Sequence, residues 1–153
     1  MGSSWESLRN AYGHFHPALV HFPIGLVLSG AALEAWSALA RRGASSETAR
    51  ILLRLGFLGA VLAVGSGLAL FNPGDFRERT LDAAKIHRFL GLACVACALI
   101  AVFLGGIRTP RGSLAGSRVG LYRIAYWLTA ILVGLAGHYG GWVVFGWGLV
   151  WTP

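Results

Sequence analysis

The sequence predicts an all-α integral membrane protein, a four-helix up-and-down bundle, on three observations. Apolar residues make up 56% of the 153 and charged residues only 12%, against about a quarter charged in soluble domains. The apolar residues fall into four long runs. The basic residues are gathered between those runs and at their ends. A chain of this kind cannot hide its apolar surface in water, so its solvent is lipid. Its length is that of one domain, residues 1–153.

The runs cover residues 18–40, 51–71, 89–107 and 124–141. The first is interrupted only by His21, Ser29, Glu34 and Ser37, and the second carries Arg54 near its start. The third has no charge, and the fourth has no acidic or basic residue apart from His138. A span needs roughly 20 apolar residues at about 1.5 Å each, which the first three supply and the fourth supplies with its flanks. A membrane barrel would instead show alternating segments of about ten residues. The first sixteen residues are polar and the first run is long enough to span, so no cleavable signal is expected.

The net charge is +7. Arg41, Arg42, Arg50, Arg54, Arg108, Arg111, Arg118 and Arg123 surround the loops between spans one and two and between spans three and four. Arg9, Arg77, Arg79, Lys85 and Arg88 lie at the other face, diluted by Glu6, Asp75, Glu78 and Asp82. By the positive-inside rule, eight against five puts those two loops in the cytoplasm and both termini outside, in a bacterial inner membrane. Charge confined to loops gives no basic face for nucleic acid.

An even, up-and-down helix count brings all five histidines to one membrane face. His14, His16 and His21 precede or open span one, His87 opens span three, and His138 closes span four. Gly25 lies four residues after His21, Gly91 four after His87, and Gly134 four before His138. Positions four apart share a helix face, so each histidine has a residue without a side chain beside it. A flat tetrapyrrole held by axial imidazoles needs such a slot. Close packing through small residues would leave the same pattern. His21, His87 and His138 are the expected metal ligands, with His21 first and His87 or His138 opposite; His14 and His16 are expected at the interface or behind the ligands.

Pro17 suits a first helical turn, but Pro23, six residues later, would remove a hydrogen bond from a helix already begun there. The helix is therefore expected to start near His21 or to have a distorted first turn. Glu34, thirteen residues past His21, lies about 20 Å deeper and is expected to meet Arg41 or another helix, away from the histidines. Cys94 and Cys97 lack the histidine that follows a c-type haem attachment pair and read as packing residues. Span two carries Gly56, Gly59, Gly65 and Gly67 for close helix contact. Residues 142–151, with three tryptophans and no charge, read as an interfacial cap, and 108–118 as a loop.

The stretch from His16-Pro17 through His21-Phe22-Pro23-Ile24-Gly25, with His87-Arg88-Phe89-Leu90-Gly91 and Gly137-His138-Tyr139-Gly140-Gly141, resembles the four-helix bacterial membrane family catalogued as domain of unknown function 2231. The likeness covers nearly the whole chain. It implies a b-type haem protein of respiratory or electron-transfer context, with His16, His21, His87 and His138 as ligands. One departure is Trp147, which stands where relatives often carry a further histidine.

Three functions compete at this point. The first is a small membrane cytochrome with haem b near the outer face, passing electrons between a partner or quinol and another redox protein. The second is a cofactor-free accessory subunit of a larger respiratory or photosynthetic membrane complex. The third is a copper or zinc site built from three histidines. With six acidic residues, most of them in loops, no catalytic acid–base pair or nucleophile stands out, and an enzyme is not expected.

Overall fold

The computed structural model describes residues 4–40, 46–75, 78–106 and 117–146. These form five α-helices: α1 (Ser4–His14), α2 (His16–Leu39), α3 (Glu47–Leu70), α4 (Glu78–Gly106) and α5 (Ser117–Phe145), with a short 3-10 turn at Pro73–Asp75. The described residues contain no strand. Helices α2 to α5 are each long and apolar enough to cross a membrane. Together they make the four-helix up-and-down bundle that the runs predict.

Helix α2 packs along α3 and α4 along α5, and these two hairpins meet through α3 against α4 and α2 against α5. Helices α2 and α4 thus stand diagonally. The core between them is built of small and medium residues, including Val27, Ala31, Leu53, Ala101, Tyr122 and Tyr126. Large side chains such as Leu58, Phe103 and Ile124 are exposed. In water that arrangement would be inverted; in hydrocarbon, leucine gains little from burial and small residues let helices approach. Gly56 is one such approach, since a Cβ there would lie 2.7 Å from Val27 Cγ2.

The helices exceed the apolar runs. Helix α4 begins at Glu78 rather than near residue 89, so His87 sits more than two turns inside it. Helix α5 runs to Phe145 and ends on Gly146, whose positive φ of 73° and N–H bond to Trp142 O form a left-handed cap. Residues 142–145 of the expected interfacial cap are therefore helical; residues 147–153, Trp147 among them, lie outside the described residues, as do Arg41 and most of the 108–118 loop. Helix α2 begins at His16 and continues through Pro23. Of the two alternatives for this segment, the structure shows the helix passing the proline, which removes the bond Leu19 O would otherwise accept. Buried Pro23 lies against Gly59, where a Cβ would be 3.2 Å from its Cδ.

Helix α1 emerges as an element that the polar reading of the first sixteen residues did not contain. Trp5, Leu8, Tyr12 and Phe15 recur at helical spacing. The Tyr12 hydroxyl donates to Leu62 O at 2.7 Å, tying this helix to α3, while Trp5, Leu8 and Phe15 remain exposed.

At the end of the bundle far from the histidines, Glu34 is 1% exposed. Its carboxylate accepts from Arg123 Nε at 2.9 Å and from the Ser46 backbone N–H at 3.0 Å. Ser46 in turn caps α3 by accepting from Ala49 N. One carboxylate thus joins α2, the start of α3 and α5. Arg50, read in the sequence as part of a basic loop, is buried one turn into α3 and pairs with Glu47.

Candidate functional site

Where the two hairpins open at the opposite end, two imidazoles come together. His16, in the first turn of α2, and His87, on the diagonal helix α4, have ring centroids 5.9 Å apart and ring planes at 82°. Both are half-buried. The His16 Nδ1–H donates to Ala63 O at 2.9 Å and approaches Ser66 Oγ at 3.1 Å. The Ser66 hydroxyl is itself donated to Ala63 O. The His87 Nδ1–H donates to Ala136 O at 2.7 Å. A carbonyl oxygen only accepts, so Nδ1 carries the hydrogen in both rings and the neutral imidazole keeps its lone pair on Nε2. Metal-binding histidines are held in this way, one nitrogen fixed by a carbonyl and the other free to ligate.

The imidazoles open into a cavity of about 530 Å³, within the range of cofactor sites. All four long helices line it, through residues including Val20, Val64, Cys94, Val133 and Phe145, and the lining is almost wholly apolar. Two glycines bring neighbouring helices against the rings. A Cβ at Gly67 of α3 would lie 2.8 Å from His16 Cε1, and one at Gly140 of α5 would lie 3.1 Å from His87 Cε1.

The structure separates the sequence-predicted residues. His21 lines the cavity, but its ring is exposed and its Nδ1–H is bound within its own helix, to Pro17 O at 2.6 Å. Gly91 lines the cavity as well. His138 does not: it is exposed and packs on Trp142 of its own helix, with centroids 4.6 Å apart. Gly25 and Gly134 are exposed, a Cβ at either would meet nothing within 4 Å, and neither is among the residues that line the cavity. His14 is exposed and bonded to Asn10 O. His16, expected at the interface, instead faces His87, because α2 starts five residues before His21 and brings its first turn against the end of α3.

Among the described residues no group of three or more His, Cys, Asp or Glu side chains is placed to hold a metal ion. A three-histidine copper or zinc centre made of His21, His87 and His138 therefore does not assemble in this geometry. Cys94 is a buried core residue whose thiol points to Thr129 O at 3.8 Å, and both cysteines are free thiols. The residues that the sequence did not single out are Ala63, Ser66 and Ala136, whose oxygens orient the rings. The sequence reads Gly67 as a helix-contact glycine and sets Gly140 in the His138 motif, without indicating that either touches a ring.

A family model described as a predicted membrane protein (DUF2231) matches residues 14–153. No curated protein and no solved structure matches the chain.

Proposed function

The chain belongs to the DUF2231 family of predicted membrane proteins, and we propose that this member is a small membrane cytochrome whose b-type haem is held by His16 and His87. The observation that carries the reading is the imidazole pair itself: two rings from diagonal helices, both fixed through Nδ1 on backbone carbonyls, brought to 5.9 Å of each other in an apolar cavity. The donor set fits the group: each imidazole commits Nδ1 to a backbone carbonyl and leaves Nε2 to ligate, and these two residues would hold the haem iron. Gly67 and Gly140 form the cradle that admits the rings beside the helix backbones.

Bound there, haem would supply one-electron chemistry. The chain's own part is to orient both Nε2 lone pairs, to exclude water with the apolar wall, and to keep the site at one membrane face for a redox partner or a quinol. The basic-residue count supports an outward position for that face in a bacterial inner membrane. In a cofactor-free subunit of a larger complex the two imidazoles would serve only to tie α2 to α3 and α4 to α5, and the apolar cavity between them would have no occupant.

The test is a reduced-minus-oxidised absorption spectrum of the chain purified in mild detergent after expression with haem supplied. A sharp b-type α band is expected, lost in His16→Ala and in His87→Ala and retained in His21→Ala and His138→Ala. A flat spectrum from the unaltered chain removes the cytochrome reading. Loss confined to His21→Ala or His138→Ala transfers the ligand role to that residue.

A further inference from the structure

The apolar wall of the cavity has a single cationic member among the described residues. Arg88 follows His87 on α4 and lines the same cavity. No carboxylate is among the described lining residues. Arg88 is exposed, and its guanidinium is held over the Phe71 ring, 4.6 Å from its centroid. Stacking on an aromatic face fixes the plane of an arginine while leaving its edge N–H groups free to donate. Phe71 closes the end of α3, three residues after Leu68 and four after the Gly67 that crowds His16. The cavity therefore joins two imidazoles, an apolar wall and one cation, the Arg88 guanidinium held beside Phe71.

This set of surfaces fits a ligand with a metal centre, an apolar body and an anionic edge. We infer that Arg88 pairs with a carboxylate on the edge of the tetrapyrrole, so that the site selects a ring with free acid groups and sets which edge faces the water. The inference rests on the haem reading and deepens it. Arg88 acts here as a specificity and positioning residue, since it touches the ring's edge and leaves ligation to the imidazoles. A guanidinium and a carboxylate that is partly shielded from water form a strong, planar, two-bond pair, whereas an ester at the same place offers no charge.

The experiment titrates the detergent-purified full-length chain, freed of bound haem, with ferric protoporphyrin IX and separately with its dimethyl ester, following the Soret band. The free acid is expected to bind the unaltered chain about tenfold more tightly than the ester. Arg88→Gln is expected to remove that preference by weakening the free acid and leaving the ester unchanged, with Arg88→Lys in between. Equal weakening of both rings, or no weakening of either, overturns the role of Arg88 while leaving the haem reading in place. Failure of both rings to shift the Soret band of the unaltered chain overturns the haem reading and this inference with it.

Discussion

Replacing Gly67 with alanine puts a methyl carbon 2.8 Å from His16 Cε1 and 3.2 Å from its Nδ1. Ordinary contact begins near 3.4 Å, so the imidazole has to retreat from α3 by roughly 0.6 Å. Its bond to Ala63 O is 2.9 Å long, and the same retreat carries it to about 3.5 Å, outside the N–H···O range. Losing that bond costs about 1 kcal/mol. Alanine in place of a helical glycine returns about 1 kcal/mol of propensity. The two nearly cancel, so thermal unfolding in detergent is expected to move by no more than about 3 °C. The b-type spectrum is expected to be lost or to become five-coordinate, because His16 no longer holds its orientation. Gly25→Ala and Gly134→Ala are the controls: their added carbons meet nothing within 4 Å, so both should leave the spectrum unchanged and raise stability by up to about 1 kcal/mol. A Gly67→Ala protein with the unaltered spectrum would refute the argument that this contact sets the His16 ring.

Two further outcomes concern the far end of the bundle. Arg123→Met strands Glu34, which is 1% exposed, and should lower stability by about 3 kcal/mol. The double change Glu34→Gln with Arg123→Met should recover most of that loss in denaturant unfolding, and a double variant as unstable as the single one would show that the pair does not carry the effect. The two buried tyrosines should respond with opposite signs. Tyr126→Phe removes a hydroxyl that donates to Ala49 O at 3.1 Å and should cost about 1 kcal/mol. The Tyr122 hydroxyl has no partner among the described residues, so Tyr122→Phe should add about 1 kcal/mol. Thermal scans of the two variants side by side check the sign, and destabilisation by Tyr122→Phe contradicts it.

The spans were legible because lipid imposes one rule on every residue that faces it. Their ends were not, because the rule stops where water begins. Helix α4 continues through Asp82, Lys85 and Arg88, side chains that end an apolar run without breaking a helix. The convergence of histidines at one face followed from the parity of the spans alone. Which of them meet depends on the rotation of each helix about its axis, and periodicity could not set that here. The glycine argument shows why. Spacing by four reads only a histidine's own helix, and it points to Gly91, which lines the cavity, as well as to Gly25 and Gly134, which are exposed and do not. The glycines that touch the rings, Gly67 and Gly140, belong to neighbouring helices. Glu34 was correctly placed in depth by helical rise, yet its partner Arg123 lies 89 residues away, a distance no local pattern spans.

The site divides along the two hairpins. His16 of α2 takes its carbonyl and its glycine from α3, and His87 of α4 takes both from α5. Each hairpin therefore orients its own imidazole, and the half-sites meet only where α2 and α4 face across the bundle. Perturbing one hairpin should leave the opposite ring in place, and the two glycines should differ in strength for a geometric reason. A Cβ at Gly140 would stand 3.1 Å from His87 Cε1, so that ring needs to give way by only about 0.3 Å. Its bond to Ala136 O, 2.7 Å long, then lengthens to about 3.0 Å and survives. Gly140→Ala is accordingly expected to retain haem with a modest shift in its spectrum, where Gly67→Ala loses a ligand. Resonance Raman coordination markers on the two variants measure the difference. Equal loss from both would mean that the imidazoles are positioned jointly by the cofactor rather than separately by their hairpins.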